Sequence, residues 1–280
     1  AFARALVAQR DQWDVLHLYE QPPASTVITA LARSLRGAGY LVGQLPDSIC
    51  PFIRTAGDWD AFLDSRSRSL RKNLQRGRRR LEREGPVEYR IVDHAPAACQ
   101  AFDQYLDIEG RSWKANSDAG VRADAVDQSF YRCLTALLGP DRLIEFRFID
   151  VAGQPVAGTF GIRHDQRFYS LKIAHDQRFA AASPGTLLES LEIRDCFDRD
   201  VVEYDFLGGF LTNKNRWTDD TRETVQVFAF PRRGHWIPFY VDRFVVRPRV
   251  KRLLRRAGWL DPLLAWRERV VRRIRKQEPH

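Results

Sequence analysis

The chain contains no methionine, and its four cysteines, Cys50, Cys99, Cys133 and Cys196, stand far apart. There is no CxxC pair and no Cys/His spacing of a metal site, so neither structural zinc nor a disulfide framework is indicated; buried free thiols are expected. Long apolar runs are missing as well. Nothing approaches the roughly 20 residues needed to cross a bilayer, and the opening AFARALVAQRDQWD carries charges where a signal peptide needs an unbroken apolar core. A cytoplasmic location is the expectation. A start at Ala1 without any methionine points to a processed product or, preferably, a segment of a longer reading frame. Charge imbalance is absent from most of the chain. From Pro238 to His280 thirteen Lys or Arg stand against four Asp or Glu, a surplus equal to the whole formal net charge of +9. A neutral body with a basic tail does not suggest a DNA-binding protein and directs attention to what the tail touches.

What is present is ordinary globular composition: 280 residues, 44% hydrophobic and 29% charged, enough for one large core or two small ones. Trp13 to Leu18 reads as a strand, Ser25 caps a helix to about Arg36, and a strand follows at Tyr40 to Leu45. A long helical pattern from Asp58 to Glu84 spaces Leu63, Leu70, Leu74 and Leu81 along one stripe, and Gly85-Pro86 stops it. Gly77 weakens that helix in the middle. Nine residues between Arg66 and Arg83 are basic, which makes either a solvated helix face or a contact for phosphate or RNA. Next come a strand at Val87 to Val92, helices at about Ala97 to Trp113 and Ala125 to Leu138, and an antiparallel meander from Leu143 to Arg163. Two tail helices are expected, near Arg247 to Arg256 and Pro262 to Lys276, and the second combines an apolar stripe with arginines, a pattern for packing on the body, lying on an acidic membrane surface or, ranked last, contacting RNA.

The stretch from Phe168 to Gly209 carries the candidate chemistry. Alternation puts Tyr169, Leu171 and Ile173 on one face of a strand and Ser170 and Lys172 on the other. At Ser-Pro-Gly the pattern stops: Ser183 suits an N-cap and Pro184 the first helical position. The amides of Gly185, Thr186 and Leu187, with the positive end of the helix dipole, then form a candidate anion site at a strand end. A well-made turn without a ligand is the commoner meaning of such a sequence. A short strand, Val201 to Phe206, places Val202, Tyr204 and Phe206 on one face and Glu203 and Asp205 on the other.

Several signatures, in order, resemble one branch of the GNAT acyltransferases, those associated with cellulose and exopolysaccharide biosynthesis, which are also similar to FemABX peptidyltransferases. They are the Arg-rich SLRKNLQRGRRRLEREG, IEGRSWK with Trp113 and Lys114, GQPVAG, SPGTLL, EYDFLGG, and KNRW with Lys214 and Trp217. The resemblance implies an α+β fold with a mixed, largely antiparallel central sheet flanked by helices. Residues 1–55 would be the remnant of a first GNAT-like lobe, 56–236 the acyltransferase domain and 237–280 a basic helical tail. It further implies an acyltransferase using acetyl-CoA or another acyl-CoA and no metal. The acceptor would be an amine or hydroxyl of a small molecule or saccharide related to the cell envelope or exopolysaccharide, with the tail as a candidate contact with acidic membrane at its inner face. The GNAT pyrophosphate motif Gln/Arg-x-x-Gly-x-Gly/Ala is absent, since Arg178 is followed by Phe, Ala, Ala, Ala and then Ser-Pro-Gly. Acyl-CoA binding therefore rests on the resemblance.

Acyl transfer needs a base for the acceptor, donors at the oxyanion and a proton for the leaving thiolate. Asp205 is a candidate base or partner of Lys214, Tyr169 a candidate acid, and His175 a further base. Ser183, Gly185, Thr186 and Leu187 are the candidate donor site, and Trp113, Lys114 and Trp217 the candidate acceptor side. Two alternatives stay open: an aminoacyl-tRNA-dependent transferase, with tRNA ranked behind acyl-CoA as donor, and a non-catalytic GNAT-like binding module.

Overall fold

A computed structural model of the chain describes residues 2–95, 97–113, 120–199, 201–208, 214–232, 234, 236–249 and 253. Two compact units emerge, one of Ala1–Ser48 with Glu223–His280 and one of Ile49–Arg222. In the first, α1 (Phe2–Ala8), β1 (Leu16–Gln21), α2 (Thr26–Gly37) and the start of β2 (Leu41–Arg54) meet most of β8 (Thr221–Phe230) and α8 (Trp236–Tyr240). The strand order is β1-β8-β2. Ser25 does cap α2, accepting from the Ile28 amide at 3.2 Å, and Ile28, Leu31 and Leu35 bury one helix face against Tyr40, Val42, Val227 and Ala229. The strand expected from Trp13 begins only at Leu16, and Trp13 lies before β1; its indole donates to the Leu6 carbonyl at 3.0 Å and stacks on Tyr40. Of the two expected tail helices, the first is described only at residues 247–249 and 253, and the second lies outside the described residues.

The second unit is a mixed, mostly antiparallel sheet flanked by helices, the architecture expected from the sequence. Its strand order is β2-β7-β6-β5-β4-β3, with β3 (Val87–Val92), β4 (Ile144–Val151), β5 (Gln154–His164), β6 (Arg167–His175) and β7 (Glu203–Asp205). Only β6 and β7 pair in parallel among the registered pairs of this unit. One face packs α3 (Trp59–Asp64), α4 (Arg68–Glu84) and α7 (Pro184–Asp198) through Leu70, Leu74, Leu81, Leu188 and Ile193. The other packs α5 (Ala97–Gly110) through Phe102, Tyr105 and Ile108 against Phe146, Phe148 and Phe160, with α6 (Ala125–Leu138) beside it.

Three local features differ from the sequence reading. The single helix expected from Asp58 to Glu84 is two, because Ser65 ends α3 and the Ser67 hydroxyl caps α4 by accepting from the Leu70 amide at 3.2 Å. Gly77 is not simply a weak point: a Cβ there would overlap the Ala182 carbonyl oxygen, so glycine lets α4 press against the turn before α7. The alternation in β6 is broken by a bulge. Phe160 pairs with Lys172 but Gly161 with Ser170, leaving Leu171 as the extra residue. Leu171 therefore joins the α5-side cluster and Ile173 the α7-side cluster, not one shared face.

Candidate functional site

The site is made by two strands that part. β6 and β7 pair from Arg167↔Glu203 to Tyr169↔Asp205, after which β6 runs on to His175 while the chain leaving β7 turns away. Lys214 holds that turn, its Nζ donating to the carbonyls of Phe206 at 2.7 Å, Leu207 at 3.1 Å and Gly208 at 2.6 Å. Asp205 supports it from the other side, accepting from the Leu207 amide at 2.7 Å and from Arg222 at 2.8 Å. Burial raises the pKa of Asp205, and the Leu207 amide and the Arg222 charge offset part of that rise. Glu203 shares the same guanidinium, at 2.8 Å and 2.9 Å.

At the end of β6 the chain bends through buried Asp176, which accepts from the amide and guanidinium of Arg178 and from Arg111 at 2.8 Å. Burial opposes ionisation of Asp176, but these donors outweigh it and hold the carboxyl below its ordinary value. A 3-10 helix, Gln177–Ala182, leads to Ser183 in the left-handed region at φ 50. Ser183 stands at the N-cap position, yet its side chain makes no cap bond. This differs from the expectation because N-capping by a hydroxyl needs an extended backbone. Pro184 takes the first turn as expected. The Leu187 amide is not open, since it donates to the Ser183 carbonyl at 3.2 Å. The amides of Gly185 and Thr186 belong to the part of a first helical turn that lacks intrahelical acceptors.

A cavity of about 360 Å³ lies here, between the end of α5, the end of β6 and the start of α7. Ser183, Gly185 and Thr186 line it, with Ile173 and His175 of β6 and Trp113, which is 58% exposed. Gly185 sits against His175: a Cβ there would stand 3.3 Å from the imidazole Nδ1. Sequence reasoning missed the two lining residues that carry charge, Glu189 and Arg216. Arg216 donates to the Thr186 hydroxyl at 3.0 Å. Half-buried Glu189 accepts from the Trp217 indole at 3.0 Å through Oε2 and otherwise opens to the cavity. Desolvation raises its pKa, while Trp217, Arg216 and Lys214 pull it back. The signal was legible: Glu189 and Glu192 interrupt the apolar run LLESLEI of α7, where charge is costly unless used or paired.

The residues singled out from sequence thus fall into separate groups. Asp205, Lys214 and Tyr169 gather where β6 and β7 part, and none of them lines the cavity. Leu187 and Trp217 are buried in the core, Trp217 beneath Glu189. Lys114 lies outside the described residues. The cavity itself has two chemical ends. An open helix start with Arg216 suits an anionic group, and about one helical turn further along, ~4.5 Å of axial rise, a desolvated carboxylate suits a proton or an ammonium.

The site is thus a parallel strand pair that parts beside a helix start facing a cavity. The family model described as "Acetyltransferase (GNAT) domain" matches residues 68–215, and the chain belongs to that family. Solved structures agree on the fold. A conserved protein of unknown function from Bacteroides thetaiotaomicron superposes with TM-score 0.54 at 14% identity, over 82% of this chain and 74% of that one. The C-terminal domain of a putative lysylphosphatidylglycerol synthetase from Agrobacterium fabrum gives 0.54 at 12% identity, over 85% and 74%. FemX gives 0.53 at 9% identity, over 82% and 75%. No curated protein matches the chain in sequence. Among the described residues no helix is long and apolar enough to cross a membrane.

Proposed function

We propose that the chain transfers an acyl group, acetyl or longer, from acyl-CoA to an amine or hydroxyl of a cell-envelope or exopolysaccharide-related acceptor, at the cavity between β6 and α7. The observation that carries this is the pairing of an anion-compatible helix start with the desolvated carboxylate of Glu189 in one cavity. Acyl-CoA supplies the thioester. The Gly185 and Thr186 amides with Arg216 suit its phosphates, and the absence of a side chain at Gly185 keeps that approach open. Glu189 takes the acceptor proton as the acceptor nitrogen or oxygen bonds the acyl carbon and the C–S bond to CoA breaks, and that proton then neutralises the departing thiolate. A carboxylate whose pKa is raised by burial is a stronger base than an exposed one, and the Trp217 indole, donating to Oε2, fixes the orientation of the Glu189 carboxylate on the cavity wall. The likeness to the exopolysaccharide-associated branch remains that of sequence motifs.

The aminoacyl-tRNA alternative is favoured by a different observation. Gly77 brings the Arg-rich α4 against the turn before α7, where Arg80 donates to the Ala181 carbonyl, and basic helix faces suit nucleic-acid phosphates. Calorimetry and melting with acetyl-CoA, longer acyl-CoAs and free CoA separate the two. Saturable binding that Gly185→Asp removes, and a transfer rate that Glu189→Gln lowers about 10²–10⁴-fold without loss of CoA binding, would support acyl-CoA. No binding of any of these ligands would overturn it, and binding of charged tRNA with a steep salt dependence would replace it.

A further inference from the structure

Helix α7 presents a second face to a separate cavity. Leu187 and Leu191 of α7, Trp59 and Leu63 of α3 and Leu74 of α4 form its apolar walls, and its volume is about 260 Å³. At its rim stand Arg78 and Arg194, whose side chains are 66% and 57% exposed. Each has a carboxylate one turn away on its own helix, Glu82 at 2.8 Å from Arg78 and Asp198 at 3.7 Å from Arg194. Such solvated i,i+4 pairs are weak and readily exchanged for another anion. None of the residues lining the acyl-transfer cavity is shared with this one.

A cavity with mostly apolar walls, lined also by Gln75, Tyr89 and Ser190, and with two guanidiniums at its rim is complementary to a chain with one anionic end. At about 30 Å³ for a water-sized group, 260 Å³ accommodates eight or nine such groups. We infer that this cavity binds a free medium-chain carboxylate, its alkyl chain among Trp59, Leu63, Leu74, Leu187 and Leu191 and its carboxylate between Arg78 and Arg194. A carboxylate accepts two parallel bonds from a guanidinium, which an alcohol cannot do. A lipid with two chains would exceed the volume.

The test is calorimetry of the purified chain with sodium butanoate, hexanoate, octanoate and decanoate, all below their micelle concentrations, and with 1-octanol. Each added methylene should strengthen binding about fourfold until the chamber fills near octanoate, after which the gain should stop. Octanol should bind about tenfold or more weaker than octanoate. Leu191→Trp, which fills the chamber, should abolish octanoate binding while the melting temperature of the chain is kept. Should that variant not fold, Arg78→Glu with Arg194→Glu changes only exposed side chains and should weaken octanoate but not octanol. Absence of saturable octanoate binding, octanol binding as tightly as octanoate, or undiminished binding to the filled or charge-reversed variant would each overturn the assignment. No acyl donor takes part, so this outcome is independent of the transferase reading.

Discussion

Glu192 lies inside α7 with no exposed surface. The Tyr204 hydroxyl donates to its Oε2 at 2.7 Å, while Oε1 has no hydrogen-bond partner. Burial pushes its pKa from 4.5 up to about 8, even with Arg147 and Tyr204 pulling it down. In the unfolded chain the carboxyl ionises near its ordinary value, whereas in the folded protein it stays protonated until about pH 8. The unfolded state therefore releases a proton first as pH rises. Stability from this group is full below about pH 4.5 and is lost progressively up to about pH 8. At about 1.36 kcal/mol per pKa unit, the full loss is of order 4–5 kcal/mol. Glu192→Gln keeps an acceptor for Tyr204 and removes the ionisation. Urea unfolding of both proteins at intervals between about pH 4 and pH 10 cancels the titrations the two proteins share. The stability of Glu192→Gln relative to the parent should climb by roughly 1 kcal/mol per pH unit and then level off. A difference that stays flat across that window would refute a neutral buried Glu192.

Gly77→Ala gains about 1 kcal/mol of helix propensity, but the new methyl meets the Ala182 backbone oxygen, and overpacking of this kind costs about 1–3 kcal/mol. A lower melting temperature and weaker acyl-CoA affinity are expected, with binding followed by calorimetry. Trp217→Phe removes the donor to Glu189. Since that bond lowers the Glu189 pKa, the ascending limb of the transfer-rate pH profile should move to higher pH. The same change should cost about 1–3 kcal/mol in urea unfolding for the lost bond to a charged group.

Much of the second unit was legible in the sequence because its signals are local. The stop at Gly85-Pro86, the meander strands on either side of Gly153 and the start of α7 at Pro184 depend on a few neighbouring residues each, and all are found; the alternation expected over Val201 to Phe206 is not, because Val202 is 51% exposed while Tyr204, Phe206, Glu203 and Asp205 are all buried. The break between α3 and α4 was also written locally, in Ser65 and Ser67, but an apolar stripe spaced like one helix concealed it. The bulge at Leu171 had no such mark. It appears only when β6 is laid against β5, where Gly161 gives no side chain to hold the alternation in step.

By itself the sequence determined where most helices and strands lie and the start of α7 at Pro184, since these follow from periodicity and turn residues within a few positions, while the class of fold was read from the resemblance of its motifs to a known family. Tertiary structure alone decided which side chains meet. Trp217 reaches Glu189 from 28 residues away and Arg222 binds Asp205 across 17, and Gly77 meets Ala182 from another helix. Whether a carboxylate becomes a base, a cap or a buried acid depends on the solvent and charges around it, and those are set by strands and helices distant in the chain.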